Sequence, residues 1–157
     1  MTFRVGLGVD AHALAEGVPL VLGGVRLDHA RGLAGHSDGD VLAHALVDAV
    51  LGAAGLGDIG SLFPSGDERF RGADSLELLR EAYRQVQEAG WTLVNADCVL
   101  VGEEPRIAAH RDEMRSRLSE ALGGGEVNVR ATTTDGLGFT GRREGLAAHA
   151  VALVERR

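Results

Sequence analysis

The feature that most constrains this chain is the stretch 35–40, Gly-His-Ser-Asp-Gly-Asp, with the apolar pattern that follows it. It predicts a turn that ends at Asp40, whose carboxylate accepts free backbone N–H groups at the start of a helix and offsets the positive end of the helix dipole. From Val41 to about Ala54, apolar residues recur at helical spacing. The stretch therefore predicts a capped helix that faces a core.

A second face of this helix is polar. Asp40, His44 and Asp48 follow one another at intervals of four residues, so they stack one turn apart. A histidine in this position, behind a turn that holds another histidine, a serine and two aspartates, is well placed to bind a ligand. A capped helix with a solvated polar stripe explains the same residues, and this stretch alone does not decide between the two interpretations.

Length and charge exclude several classes of protein. The 157 residues suffice for one domain with a core, over 1–157, and carry a net charge of −7, which argues against a nucleic-acid partner. No segment is long and apolar enough to span a membrane, and no signal-peptide pattern is present. The one cysteine, Cys98, cannot form an internal disulfide. We therefore expect a cytoplasmic protein without a nucleic-acid or membrane partner.

The pattern along the chain alternates strands with helices. Strands are predicted at 3–9, 19–22, 25–27, 91–101 and 127–133, and helices at 40–54, 75–89 and 106–122. The segments 19–22 and 25–27 are predicted to form a hairpin around two glycines. The last stretch, 146–154, is ambiguous, because its alanines favour a helix whereas its nearly continuous apolar run also suits a buried strand.

Two histidines and a carboxylate form a candidate metal site. Asp10 and His12 are two residues apart at the predicted end of the first strand, so both side chains point to one side. With His44 they supply the ligand types that hold a divalent transition metal and leave positions open for water or substrate. An Asp-x-His pair is also common in polar loops, so the contribution of His44 from a distant helix is a hypothesis.

Three further stretches suit a phosphorylated ligand, each with a structural alternative. Thr-Thr-Thr-Asp at 132–135 suits phosphate and a hard cation such as Mg²⁺, although threonines bonded to neighbouring strands explain the same residues. Arg142, in a turn with Phe139, is able to hold phosphate or to pair with a surface acid. Glu-Glu-Pro-Arg at 103–106 opens a helix whose N-terminus attracts anions, or is simply a Pro-initiated helix.

Together these residues carry a family resemblance that runs nearly the length of the chain. The matching motifs are Asp-Ala-His at 10–12, His-Ser-Asp-Gly-Asp-x-x-x-His at 36–44, Gly-Asp-Ile-Gly at 57–60 with Leu-Phe-Pro at 62–64, Ala-Thr-Thr-Thr at 131–134 and Gly-Phe-Thr-Gly-Arg at 138–142. With them the chain resembles the 2-C-methyl-D-erythritol 2,4-cyclodiphosphate synthases, which close a ring in the non-mevalonate isoprenoid pathway. The second motif combined with Ala-Thr-Thr-Thr is specific to that family.

The resemblance implies an α+β fold in which a mixed four-stranded sheet carries helices on one face, plus a small hairpin. The ambiguous stretch 146–154 is then a strand, and 1–157 is one catalytic domain. The resemblance also implies a homotrimer packed through its sheets, with each active site between neighbouring subunits. A central cavity of the trimer, near Phe139 and Arg142, is implied to hold isoprenoid diphosphates.

The resemblance further implies a metal and substrate site. Asp10, His12 and His44 match the ligands of a Zn²⁺ ion, for which Mn²⁺ is an alternative. Asp135 matches the ligand of a second cation, Mg²⁺ or Mn²⁺. The implied substrate contacts are Asp10, His12, His36, Ser37, Asp58, Ile59, Gly60, Phe63, Pro64, Ser65, Gly66, Asp67, Gly102, Glu103, Glu104, Pro105, Arg106, Ile107, Ala108, Ala131, Thr132, Thr133, Thr134, Asp135, Phe139 and Arg142.

The implied reaction is intramolecular. The 2-phosphate of 4-diphosphocytidyl-2-C-methyl-D-erythritol 2-phosphate attacks the β-phosphorus, closes a cyclic diphosphate and expels CMP, which is the work of a phosphorus–oxygen lyase. His36 and Thr133 match residues near the transition state and, with Asp135, are the implied catalytic residues. Two alternatives stay open: a metal-dependent phosphohydrolase, in which the same ligands activate water, and a non-catalytic trimer that binds isoprenoid diphosphate.

The chain departs from the family pattern at three places. Asp135 stands where the family usually has glutamate, and its shorter side chain favours a water-mediated contact with the cation. Arg106 stands where lysine is common at the nucleotide phosphates, which keeps the charge and changes the geometry. The loop at 65–67, Ser-Gly-Asp, is less acidic than is usual.

Overall fold

The computed structural model describes every residue from Met1 to Arg157. The strands are β1 (Thr2–Glu16), β2 (Leu20–Leu22), β3 (Val25–Leu27), β4 (Arg31–Leu33), β5 (Thr92–Val101), β6 (Glu126–Thr132) and β7 (Gly145–Arg156). The helices are α1 (Val41–Ala54), α2 (Ile59–Leu62), α3 (Ser75–Glu88), α4 (Arg111–Ala121) and α5 (Gly138–Gly141), with short 3₁₀ turns at Glu68–Phe70 and Ala108–His110. None of these helices combines the length and the apolar character that crossing a membrane requires.

The main sheet is mixed and has the strand order β4–β1–β7–β5–β6, while β2 and β3 form a separate hairpin. β7 lies at its centre, antiparallel to both β1 and β5, and β6 pairs parallel to β5. The stretch 146–154 is therefore a strand, and its alanines suit the position because most of β7 is buried. The predicted α+β fold is confirmed, including the hairpin.

Two predicted boundaries are corrected by the structure. The sheet has a fifth strand, β4, beside the four predicted ones, because β1 does not end near residue 9 but runs on to Glu16 and pairs there with Arg31–Leu33. The helix predicted from about residue 106 begins at Arg111, because Ala108–His110 forms a 3₁₀ turn instead of a full helical turn. Both errors lie at element ends, where local sequence signals are weakest.

The core is built where α1 lies against β1. A Cβ at Gly6 would stand 1.9 Å from the carbonyl oxygen of Ala49, and one at Gly8 would stand 1.8 Å from that of Ala45. These two glycines therefore allow the backbones of strand and helix to meet directly. Because the sheet covers one side of α1 and α3 covers another, nearly the whole helix is buried.

β1 alternates between two faces. The face that carries Gly6 and Gly8 continues through Asp10 and His12, so both of those side chains lie on the α1 side of the sheet. The opposite face is apolar and more than half exposed. We call it the outer stripe of β1: Phe3, Val5, Leu7 and Val9, with exposed fractions of 51–68%.

Asp40 closes the N-terminus of α1 and ties it to the hairpin. Its Oδ1 atom accepts hydrogen bonds from the backbone N–H groups of Ala43 (3.1 Å) and Gly23 (2.9 Å), and its Oδ2 atom accepts one from Gly24 (2.8 Å). Burial of this carboxyl raises its pKa to about 6. The solvated polar stripe considered for this helix is therefore wrong, because both Asp40 and His44 are buried.

We expect Asp40→Asn to lower the free energy of unfolding by about 1–3 kcal/mol. The amide NH₂ would face a backbone N–H whose hydrogen bond the carboxylate now accepts, so that this N–H would lose its acceptor. Urea unfolding followed by circular dichroism at mildly alkaline pH measures the change. The control Asp28→Asn removes the same charge from an exposed residue and should stay within about 0.5 kcal/mol of the parent. Equal unfolding free energies for Asp40→Asn and the parent would contradict this role of Asp40.

Candidate active site

Asp10, His12 and His44 meet in the structure, as the sequence predicted. The Oδ2 atom of Asp10 lies 3.0 Å from His12 Nε2 and 3.1 Å from His44 Nδ1, and the two ring nitrogens are 3.2 Å apart. β1 supplies the first two residues and the first turn of α1 supplies the third. The close packing of α1 on β1 therefore sets the distances within this group of three ligands, called the metal group below.

The spacing of the metal group fits a divalent ion. A tetrahedral ion with ligands at 2.0–2.1 Å separates its ligand atoms by about 3.3 Å, and the three observed separations are 3.0–3.2 Å. Three protein ligands leave a further position for water or substrate. The group could therefore hold a metal ion, and its two imidazole nitrogens favour a transition metal over Ca²⁺ or Mg²⁺.

The electrostatics of the metal group also suit a cation. Burial disfavours the ionised Asp10 carboxylate, but the neighbouring imidazoles of His12 and His44 outweigh burial and lower the pKa of Asp10 to about 2. The hydrogen bond to Asp10 raises the pKa of His12, although burial opposes that shift. Asp10 is therefore an anion at neutral pH and offers a negative charge to a metal ion.

The other edge of the His44 ring meets two hydroxyl groups. Its Nε2 atom lies 2.8 Å from the Oγ of Ser75 and 3.0 Å from the Oγ of Ser37. Ser75 is the first residue of α3 and is fully buried, and its backbone N–H and its hydroxyl both donate to Asp38. Sequence analysis missed Ser75 as a site residue, because its pattern indicates a helix start and carries no signal that α3 reaches His44.

A cavity of about 420 Å³ opens beside the metal group. Phe70 and Leu78, which sequence analysis missed, give it apolar surface, and the rings of Phe63 and Phe70 meet edge to face with 5.2 Å between their centroids. The structure thus brings many of the predicted metal and substrate residues around one cavity. Those that line it are Asp10, His12, His36, Ser37, His44, Ile59, Gly60, Phe63, Pro64, Ser65 and Gly66.

The segment 57–72 forms one wall of this cavity and is tied down by hydrogen bonds. His36 donates from Nε2 to the carbonyl oxygen of Asp67 over 2.8 Å. The carboxylate of Asp67 accepts hydrogen bonds from Arg69, and this lowers the pKa of Asp67. Asp58 caps α2 by accepting a hydrogen bond from the Ser61 backbone N–H. The carboxylates of Asp58 and Asp67 are thus held by neighbours within the segment.

The residues predicted for the nucleotide and the second cation form a separate cluster, the nucleotide cluster, where β5 and β6 end. The backbone N–H of Gly136 donates to the carboxylate of Glu103 over 3.2 Å, which joins the loops that follow the two strands. The Thr133 hydroxyl donates to the Asp135 carboxylate over 3.2 Å, and both residues are exposed. No residue of the stretches 102–108 and 131–135 lines the cavity beside the metal group in the same chain.

Within these stretches the side chains differ in availability. Arg106 and Ala108 are exposed, whereas Ile107 is 2% exposed and packs in the core, so only its backbone is accessible to a ligand. The hydroxyl of Thr134 donates to the carbonyl oxygen of Leu137 and so stabilises the turn. The substrate contact predicted for Ile107 is therefore left to its backbone.

Phe139 and Arg142 lie near one another in chain order but have different surroundings. Phe139 is exposed at a shallow cavity of about 280 Å³ that also includes His12. Arg142 donates from Nε to Glu144 over 3.2 Å at the surface. The surface acid that was the structural alternative for Arg142 is therefore present.

Known proteins resemble this chain over nearly its whole length. The YgbB family model matches residues 3–155. The 2-C-methyl-D-erythritol 2,4-cyclodiphosphate synthase of Rubrobacter xylanophilus is 61% identical over 159 residues, which cover 98% of this chain and 96% of that protein. Sequence similarity of this extent supports the resemblance found in the motifs.

Solved structures are also similar to this chain over nearly its whole length. The bifunctional IspDF of Campylobacter jejuni superposes with a TM-score of 0.94 at 44% identity over 99% of this chain, which spans 43% of that longer chain. A CDP-bound 2C-methyl-D-erythritol-2,4-cyclodiphosphate synthase superposes with a TM-score of 0.87 at 40% identity, over 97% of this chain and 100% of that chain. The chain therefore belongs to the YgbB family, alongside the 2-C-methyl-D-erythritol 2,4-cyclodiphosphate synthases to which it is so similar.

Proposed function

We propose that the chain converts 4-diphosphocytidyl-2-C-methyl-D-erythritol 2-phosphate to 2-C-methyl-D-erythritol 2,4-cyclodiphosphate and releases CMP. The observation that carries this function is the metal group of Asp10, His12 and His44 beside a cavity of about 420 Å³, in a chain 61% identical to a synthase of that name. We assign the reaction to one catalytic domain over 1–157.

The proposed reaction depends on positioning of the substrate's phosphates more than on acid–base catalysis. An oxygen of the 2-phosphate forms a bond to the β-phosphorus, and the bond between the β-phosphorus and the oxygen that bridges it to the α-phosphate breaks, so that CMP leaves with that oxygen. Because the nucleophile is already an anion, no strong base is required. The protein has to align the two phosphates and neutralise their charges.

The cavity residues are assigned to the methylerythritol end of the substrate. When bound by Asp10, His12 and His44, a divalent ion, which we propose to be Zn²⁺ or Mn²⁺, supplies positive charge to phosphate oxygens. His36 and Ser37 line the cavity beside these ligands, and we assign them to the 2-phosphate. The apolar side of the cavity, with Ile59, Phe63 and Phe70, excludes water and so protects ring closure from competing hydrolysis.

The nucleotide cluster is assigned to the other end of the substrate. Its backbone at 102–108 is placed to bind the cytidine, and a relative of the same fold has been solved in a CDP-bound form. Thr132 and Thr133 present exposed hydroxyls for the diphosphate, with Thr133 assigned to the transition state. We assign Asp135 to a second cation, Mg²⁺ or Mn²⁺, and Arg106 to the nucleotide phosphates.

A homotrimer would complete the site. The β-phosphate has to meet both the metal group and the nucleotide cluster, yet no residue of that cluster lines the cavity of its own chain. The cavity of one subunit would therefore receive the nucleotide cluster of a neighbour. The outer stripe of β1, together with exposed Val151 on β7, offers an apolar sheet face for this packing.

Two further assignments complete the proposed function. Phe139 and Arg142 are assigned to a central cavity of the trimer that accepts an isoprenoid diphosphate, since they combine an exposed aromatic ring with a guanidinium group. We place the protein in the cytoplasm, for which its one free cysteine, Cys98, is the support.

The products of the reaction distinguish this function from its alternatives. We expect the purified protein with Mg²⁺ to release CMP from the substrate, and phosphorus NMR to show a cyclic diphosphate as the other product. A metal-dependent phosphohydrolase would give a linear phosphate, and a protein that only binds isoprenoid diphosphate would release no CMP. Either of those outcomes would overturn the proposal.

We expect His44→Ala to abolish CMP release and to weaken Zn²⁺ binding by more than about 100-fold, the upper end of the loss caused by removing an outer partner of a metal site. The reason is that it removes one of three protein ligands. Zinc content after dialysis and the CMP assay measure both effects. The control His110→Ala removes an imidazole outside the metal group and should keep the zinc. Full zinc stoichiometry in His44→Ala would contradict the assignment of His44 as a metal ligand.

At position 135 we expect the charge of the side chain to affect activity more than its length does. Asp135→Glu should keep most of the activity with Mg²⁺, because a longer carboxylate still reaches a cation that readily keeps water ligands. Asp135→Asn should lose at least about 10-fold, because its amide carries no charge to hold the cation against the leaving diphosphate. CMP release across a Mg²⁺ titration measures both variants. If Asp135→Asn matches the parent throughout, the second cation belongs to another residue.

A further inference from the structure

The two ring nitrogens of His44 have different surroundings. Nδ1 faces the other members of the metal group, at 3.1 Å from Asp10 and 3.2 Å from His12. Nε2 faces away from that group toward the hydroxyl of Ser75 at 2.8 Å. A neutral imidazole carries its proton on one nitrogen only, and the nitrogen that binds a metal has to be the other one.

The direction of hydrogen bonding at Ser75 follows from Asp38. An ionised carboxylate only accepts hydrogen bonds, so the Ser75 hydroxyl donates its single hydrogen to Asp38 Oδ1. The Ser75 backbone N–H donates to the other carboxylate oxygen over 3.0 Å, which fixes the orientation of Asp38. The lone pairs of the Ser75 oxygen are then left to accept a hydrogen bond from His44 Nε2.

We propose that Ser75, oriented by Asp38, is a positioning residue that holds His44 with its proton on Nε2 and thereby keeps Nδ1 free to bind the metal. The order of donation is His44 Nε2 to Ser75 to Asp38. This inference rests on the metal group of the proposed function and extends it to a residue on α3. The negative charge of Asp38 strengthens the hydrogen bond that it accepts from Ser75 and so holds the Ser75 hydroxyl in this orientation.

Burial distinguishes Ser75 from the second hydroxyl near the same nitrogen. Ser75 is fully buried, so water does not compete for His44 Nε2 on that side. Ser37 lies farther away, at 3.0 Å, is part of the cavity wall and also accepts the Gly39 backbone N–H over 3.3 Å. Ser37 is therefore available to a substrate in the cavity. The buried hydroxyl of Ser75 is not, and it contacts only other protein groups, among them His44.

The test compares Ser75→Ala with Ser119→Ala in the full-length protein. Ser119 is a matched control because its hydroxyl also makes an internal hydrogen bond, to the carbonyl oxygen of Gly125 at the end of α4. Alanine suits the first turn of α3, and circular dichroism verifies folding. Two measurements are made on each protein: the affinity for Zn²⁺ by competition with a chromophoric chelator, and the His44 tautomer in the metal-free form by long-range proton–nitrogen NMR.

We expect the parent and Ser119→Ala to show the Nε2-protonated tautomer of His44. Ser75→Ala should gain the Nδ1-protonated tautomer, which Asp10 would accept, and its zinc affinity should fall by about 10- to 100-fold, as for other outer partners of metal sites. Asp38→Asn should shift both quantities in the same direction by a smaller factor, because the amide keeps an acceptor for Ser75 but loses the charge.

The outcomes of this test distinguish failure of the inference about Ser75 from failure of the proposed function. If the parent binds zinc and Ser75→Ala keeps both its affinity and its tautomer, Ser75 has no positioning role and the inference is overturned. If neither the parent nor Ser119→Ala binds zinc, the metal group itself is wrong. Should Ser75→Ala not fold, Asp38→Asn carries the test, and an unchanged tautomer there would equally overturn the order of donation.

Discussion

The close contact between α1 and β1 is the constraint on which the rest of the structure depends. Gly6 and Gly8 remove the side chains that would collide with the carbonyl oxygens of Ala45 and Ala49, and the helix lies directly on the strand backbone. Two residues farther along the same face, the strand presents Asp10, and its carboxylate comes within 3.1 Å of His44. The same packing therefore builds both the core and the metal group.

Local sequence signals were sufficient where a feature depends on adjacent residues. The turn at 35–40 and the helix after it combine a capping aspartate with helical spacing, and the structure has both, with Asp40 as the cap. They were not sufficient where a feature depends on distant pairing. β4 is only three residues long and has no periodicity to detect, and it exists because β1 extends far enough to pair with it. Ser75 is 31 residues from His44, so that contact comes from the tertiary structure alone.

The candidate site also combines features that adjacent residues determine with features that depend on the tertiary structure. The resemblance predicted substrate residues in several stretches of the chain, but only the structure separates them into those around the cavity beside the metal group and those of the nucleotide cluster. The proposed substrate carries one phosphate at its methylerythritol end and a diphosphate that leads to cytidine at the other end, so it would have to bridge the two surfaces. In the proposed function, a neighbouring subunit would therefore serve catalysis as well as cover the outer stripe of β1.

The position of β7 has a consequence for how the protein is made. β7 is the last strand in chain order, yet it lies at the centre of the sheet, where it pairs Ala148 with Asp10 and Leu146 with His12. Strand pairing between such distant segments forms slowly, because a large loop has to close first. While the chain is still being synthesised, β1 has no central neighbour to hold its two ligands in register. The strand that carries Asp10 and His12 therefore gains its central neighbour only when the last strand joins the sheet.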